Sequence, residues 1–131
     1  MNIKKQIQKQ AIEILKVFKK LEKRDRDRML KLNNSHKEEI LYNTIGYKVL
    51  TINLILFNEK PFIEEYEEKT RYAQACYKEN AIAINYECFR SDNIFKVNDE
   101  MRLSIIRHEL GHLYEFKTNN DLSEEAANKY E

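Results

Sequence analysis

The stretch RHELGHLYEF, residues 107 to 116, holds two of the chain's three histidines. His108 and His112 lie four apart, with Glu109 directly after the first. On a helix, residues four apart project from one face, about 6 Å apart along the axis. Two imidazoles held this way can converge on one metal ion about 2 Å from each nitrogen. Zinc suits nitrogen ligands, imposes no geometry of its own, and in a catalytic site takes three protein ligands plus water. Glu109 leaves the helix one position later, so it can stand beside the ion without binding it and take a proton from the metal-bound water. The competing reading is a helix with two partly buried histidines in ordinary hydrogen bonds. With this composition, H-E-x-x-H arises by chance in only ~1 in 100 chains of this length, which favours the metal.

A third ligand must come from elsewhere, since no histidine follows His112. Glu124 and Glu125 lie beyond a turn. In the run Glu124-Glu125-Ala126-Ala127-Asn128, Glu124 and Asn128 share one helix face. Glu124 is therefore the expected ligand, and Asn128 the expected acceptor for the far nitrogen of a ligand histidine, fixing its tautomer. Read otherwise, Glu124 and Glu125 are first-turn acids that complement the helix dipole. Ala126 and Ala127 are small enough for this helix to lie close to the first. Gly111 costs about 1 kcal/mol inside a helix, which suits a close backbone approach at that point. The expectation is one zinc per chain on His108, His112 and Glu124, with Glu109 as general base.

The elements around these residues follow from periodicity. Ile7, Ala11, Ile14, Leu15, Phe18 and Leu21 recur at helical spacing, so residues 3 to 21 read as an amphipathic helix. The mixed charges of 22–28 (EKRDRDR) suit a solvated helix face or an exposed joint. Ser35 and Glu38 have capping-box spacing and open a second short helix through Ile45, ended by Gly46, with His36 exposed in its first turn. Residues 47–57 (YKVLTINLILF) read as a buried strand. In 59–69, Pro61 excludes a central strand and leaves a loop or exposed edge. RYAQACY and AIAINY, separated by Lys78-Glu79-Asn80, suggest a hairpin. After an irregular 89–97, Asn98 or Asp99 caps the helix that carries the histidines. A turn at 117–121 ends it, and SEEAANKYE forms a last helix.

At 131 residues, 42% hydrophobic and 34% charged, the chain reads as one globular domain, 1–131, with a helical part at 1–46 and a sheet and metal-binding core at 47–131. The fold class expected is α+β, with N-terminal helices on one side of a small mixed sheet and the two metal-binding helices on the other. With 23 basic and 22 acidic residues, no global field points to nucleic acid or an anionic membrane. No stretch approaches the roughly 20 apolar residues of a span, and Glu13 and Lys16 interrupt any signal core, so a cytoplasmic home is expected. There Cys76 and Cys88 would be reduced and act as small buried hydrophobes.

At these residues the chain resembles the gluzincin metallopeptidases, in which HExxH is completed by a glutamate on a later helix. The pattern is most similar to the ImmA/IrrE-like family: a strand ending I-x-I-N (Ile82 to Asn85), then HELGH (His108 to His112), then E-x-x-A-N-x-aromatic (Glu124 to Tyr130). The resemblance covers roughly residues 70 to 131. It implies a zinc peptidase cutting a protein or peptide substrate, such as a transcriptional regulator. SprT-like peptidases, which act on DNA-bound proteins, share a similar layout and come second. The substrate is expected along an exposed strand edge within 70 to 86. Tyr86, Tyr114, Tyr130, Arg102 and Arg107 are candidates to stabilise the oxyanion. A non-catalytic binding protein on the same scaffold is the alternative, and a partner chain completing the cleft is a further expectation.

Overall fold

A computed structural model describes residues 2–31, 40–46, 51–59, 62–64, 67–69 and 71–131. The first element, α1 (Ile3–Leu30), starts where the Asn2 side chain accepts from the Lys5 backbone N–H at 3.1 Å. Its apolar stripe, Ile7 to Leu21, is buried as the spacing predicts. The helix does not stop there. Glu22 turns inward and accepts from the Ser91 backbone N–H at 3.1 Å, and Met29 is buried again. Between them Asp25 leaves helical geometry (φ −117°, ψ 23°), so the charged run is both a helix face and a joint.

Residues 40–46 correct the sequence reading. They form a strand, β1 (Ile40–Gly46), and not the end of a helix closed by Gly46. The capping signal at Ser35 and Glu38, like His36, lies outside the described residues. Ile40-Leu41-Tyr42 and Ile45 are aromatic, β-branched or aliphatic, and they pair antiparallel with β2 (Thr51–Phe57), Ile40 opposite Leu56 and Gly46 opposite Thr51. Ladder bonds to the next strand outweigh a local helix signal. The expected strand over 47–57 holds for 51–57, with 47–50 outside the described residues.

β3 (Phe62–Glu64) and β4 (Glu67–Lys69) make a separate two-stranded sheet where a loop or exposed edge is expected. β5 (Ala73–Cys76) and β6 (Ala81–Asn85) are the expected hairpin, turned at 77–80 with Asn80 at φ 48°. The main sheet runs β1-β2-β6-β5. Its central pair, β2 and β6, is parallel and its outer pairs are antiparallel, so the sheet is mixed and β5 stands at an edge. One turn of helix follows, α2 (Tyr86–Phe89), then α3 (Asp99–Asn119) and α4 (Glu124–Asn128). The fold is a small α+β domain. Among the described residues, no helix is long and apolar enough to cross a membrane.

The layering also differs from expectation. Leu54 and Leu56 of β2 and Ile82 and Ile84 of β6 share one core with α1 (Ile14, Phe18) and α3 (Ile106, Leu110). Both long helices therefore cover the same sheet face and pack against each other, with Lys19 of α1 bonded to Asp99 of α3 at 2.5 Å. The other face buries Ile55, Phe57, Ala81 and Ala83. Strand alternation separates the two sets. Two amphipathic stripes gain more by closing one shared core than by dividing across a sheet this narrow.

Asn85, the last residue of β6, ties the sheet edge down. It is fully buried, and its amide nitrogen donates to the carbonyls of Glu59 and Arg71, both at 2.8 Å. Its amide oxygen accepts from the backbone N–H groups of Glu59 at 3.0 Å and Glu87 at 3.2 Å. The exit of β2, the entry to β5 and the start of α2 thus meet at one side chain.

Candidate metal centre

α3 is capped at both ends. Asn98 accepts from the Met101 backbone N–H at 2.9 Å, Asp99 and Glu100 fill the first turn, and Asn120 closes the C-terminus in the left-handed conformation, φ 51°. Leu110 and Leu113 face the core, which turns His108 and His112 together toward the far side of the helix.

α4 is brought to these histidines by packing. An added methyl at Gly111 would lie 2.7 Å from Tyr130 Cδ2 and 3.1 Å from the Ala127 carbonyl oxygen, so the absence of a side chain is what admits α4. Ala126 and Ala127 are both buried in this contact. Ser123 caps α4, accepting from the Ala126 backbone N–H at 3.1 Å. Beneath it sits Glu115, 2% exposed, which accepts from the Tyr130 hydroxyl at 2.7 Å, the Asn119 amide at 2.6 Å and the Lys129 ammonium at 2.6 Å. Those donors, Lys129 first, hold the Glu115 carboxyl below the usual carboxylate range.

The result is a three-sided cluster. His108 Nε2 lies 3.1 Å from His112 Nε2 and 2.8 Å from Glu124 Oε2, and His112 Nε2 lies 3.1 Å from Glu124 Oε1. The three residues offer one ligand atom each within 4.8 Å of one another. Lone pairs aimed at each other repel unless a proton or a cation lies between them. A tetrahedral zinc with bonds of about 2.0–2.1 Å separates its ligand atoms by roughly 3.3 Å, within about half an ångström of the distances found. The donor set fits zinc. Glu124 is the most open of the three, its side chain 74% exposed against 16% and 7% for the histidines.

Asn128 does not take the part expected of it. It is exposed, and no hydrogen bond among the described residues joins it to either imidazole. α4 ends at Asn128, and the chain continues in a turn, with Glu131 N–H bonded to the Asn128 carbonyl at 3.2 Å. That turn brings Glu131 Oε2 to 3.2 Å from His108 Nδ1. A proton on Nδ1 shared with this carboxylate leaves the Nε2 lone pair facing the cluster, as a ligand requires. Glu131 lies two helical turns after Glu124, the one sequence signal that could have marked it.

Glu109 stands beside the cluster, next to the sheet edge. Burial pushes its carboxyl pKa above the ordinary value. Two hollows flank it. One of about 310 Å³ is bordered by Tyr72, Ala73, Ile105, His108 and Glu131. The other, about 340 Å³, is bordered by Gln74, Ala75, Tyr77, His112, Leu122 and Glu124, and Glu109 lines both. The cysteines take no part. Cys88 is buried and its thiol is pushed up to about 12, and Cys76 is half-buried against the opposite sheet face.

No known protein family, curated protein or solved structure matches the chain.

Proposed function

We propose that this chain is a zinc-dependent endopeptidase of gluzincin type, with His108, His112 and Glu124 as ligands and Glu109 as general base. The observation that carries the proposal is the convergence of the three ligand atoms, from two different helices, beside a carboxylate of α3 that lines the hollows along the edge strand. A zinc ion held there would polarise the scissile carbonyl and lower the pKa of its water toward about 7. The chain's own groups do the rest. The edge of β5 offers backbone donors and acceptors for an extended peptide, and the two hollows receive side chains on either side of the bond to be cut. Burial, which raises the Glu109 pKa, makes it a better proton acceptor and lets it hold the proton until the amine departs. The ImmA/IrrE-like resemblance extends the proposal to a cytoplasmic regulatory protein, such as a repressor, as substrate.

Glu109→Gln tests it. The variant keeps the side chain's size and touches no ligand atom, so it is expected to fold and bind one zinc per chain while losing peptide cleavage. Cleavage at the wild-type rate would remove Glu109 from the mechanism. A partner bound equally by both proteins and cut by neither would identify a binding module instead.

A further inference from the structure

Addition of water to a peptide bond leaves a negative oxygen on the former carbonyl, and a donor poised there is worth as much as the base. The residues whose chemistry suits that role are committed elsewhere in the fold. The Tyr130 hydroxyl donates to Glu115. Arg102 donates to the carbonyls of Phe89 at 2.9 Å and Arg90 at 3.1 Å. Tyr86 is fully buried against Phe18. Tyr114 meets Tyr130 edge-on with ring centres 5.9 Å apart, and neither it nor Arg107 borders either hollow beside Glu109.

Tyr77 is differently placed. It follows β5 directly, in the turn of the hairpin, and borders the same hollow as Glu109, His112 and Glu124. Its ring stands edge-on to the His112 imidazole, 6.5 Å between centres at 90°, and leans on Phe116 at 4.8 Å. Among the described residues it is the one tyrosine lining that hollow, and two aromatic contacts fix its ring. The geometry points to Tyr77 as the hydroxyl that donates a hydrogen bond to the scissile carbonyl oxygen as that oxygen becomes negative. This rests on the peptidase reading.

The bookkeeping closes without a further reactant. Water oxygen bonds to the carbonyl carbon, its proton passes to Glu109, and the carbonyl electron pair moves onto the oxygen that Tyr77 faces. The pair then returns, the carbon–nitrogen bond breaks, and Glu109 delivers the proton to the departing amine. Tyr77 keeps its own proton throughout.

The experiment uses the full chain loaded with zinc and, as probe, a mixed-sequence peptide library, from which the best-cut peptide is remade with a quenched fluorophore pair. Tyr77→Phe keeps the ring contacts. It is expected to retain zinc content and melting temperature and to lose roughly 10²- to 10³-fold in kcat, with KM within about threefold of wild type. Tyr77→His, which keeps an N–H donor, is expected to recover part of that loss. If Tyr77→Phe turns over like wild type, or loses zinc along with activity, Tyr77 is not the donor and the peptidase reading stands. If wild type binds zinc and cuts nothing in the library, the peptidase reading and the Tyr77 role fall together.

Discussion

The two helices that build the cluster are held in opposite ways. α3 has 21 residues, caps at both ends and a buried stripe of its own, and it sets His108 and His112 by helical repeat alone. α4 has five residues, too few to persist unaided, and it sets Glu124 only because Gly111 admits it and Glu115 anchors its far end. The placing of two of the proposed ligands is thus a local fact of the sequence, while that of the third is a tertiary one. Geometry supplied by a helix is hard to disturb without removing the residue itself. Geometry supplied by docking can be lost from a distance.

His112→Ala tests the first half and carries the largest effect, complete loss of the zinc that elemental analysis should find at one per chain. Glu124→Ala removes only the open ligand, and a zinc titration should show a loss exceeding the roughly 10- to 100-fold typical of residues outside a ligand set. Gly111→Ala tests the docking. An undocked helix would gain about 1 kcal/mol from the substitution. With α4 in place the methyl meets Tyr130, so denaturant unfolding should show a net loss of about 1–3 kcal/mol, with weaker zinc binding despite an untouched ligand set.

Tyr130→Phe removes one of three donors to Glu115 and should cost about 1 kcal/mol. The same anchor predicts an acid response. The Glu115 pKa is lower in the folded chain than in the unfolded one, so its contribution is full above the ordinary carboxylate value and is lost as pH falls through the depressed one. Unfolding measured between pH 6 and 3 should be less steep in pH for Glu115→Gln than for wild type, about those values. The smallest effects belong to the exposed side of α4. Glu125→Ala should change stability by only a few tenths of a kcal/mol. Asn128→Ala should be equally mild in the zinc titration, since its side chain meets neither imidazole.

Legibility divides along the same line. The HELGH helix, the Asn98 cap, the hairpin at Lys78-Glu79-Asn80 and the close approach at Gly111 all rest on short-range signals, and each stands where the sequence puts it. Three features that it hides depend on contacts outside their own segments. β1 shows its character only through its pairing with β2. Glu131 reaches His108 through a turn past the end of α4, and only its seven-residue spacing from Glu124 hints at it. Tyr77 enters the hollow because a hairpin ends there, and a lone tyrosine beside a turn carries no pattern. The sharing of one sheet face by α1 and α3 belongs with these, since an amphipathic stripe says what it will bury and not which side it will bury it on.

The amide of Asn85 carries a consequence for tracing this chain's kin. With two carbonyls before its nitrogen and two N–H groups before its oxygen, the position has a polarity as well as a shape. Aspartate, nearly identical in size, would set an oxygen against two carbonyl oxygens, while leucine would strand all four backbone groups. Selection acting on such a position can be met by very few residues. A distant sequence that keeps an amide at the end of this strand, some way ahead of an HExxH helix, would share a construction and not just a motif.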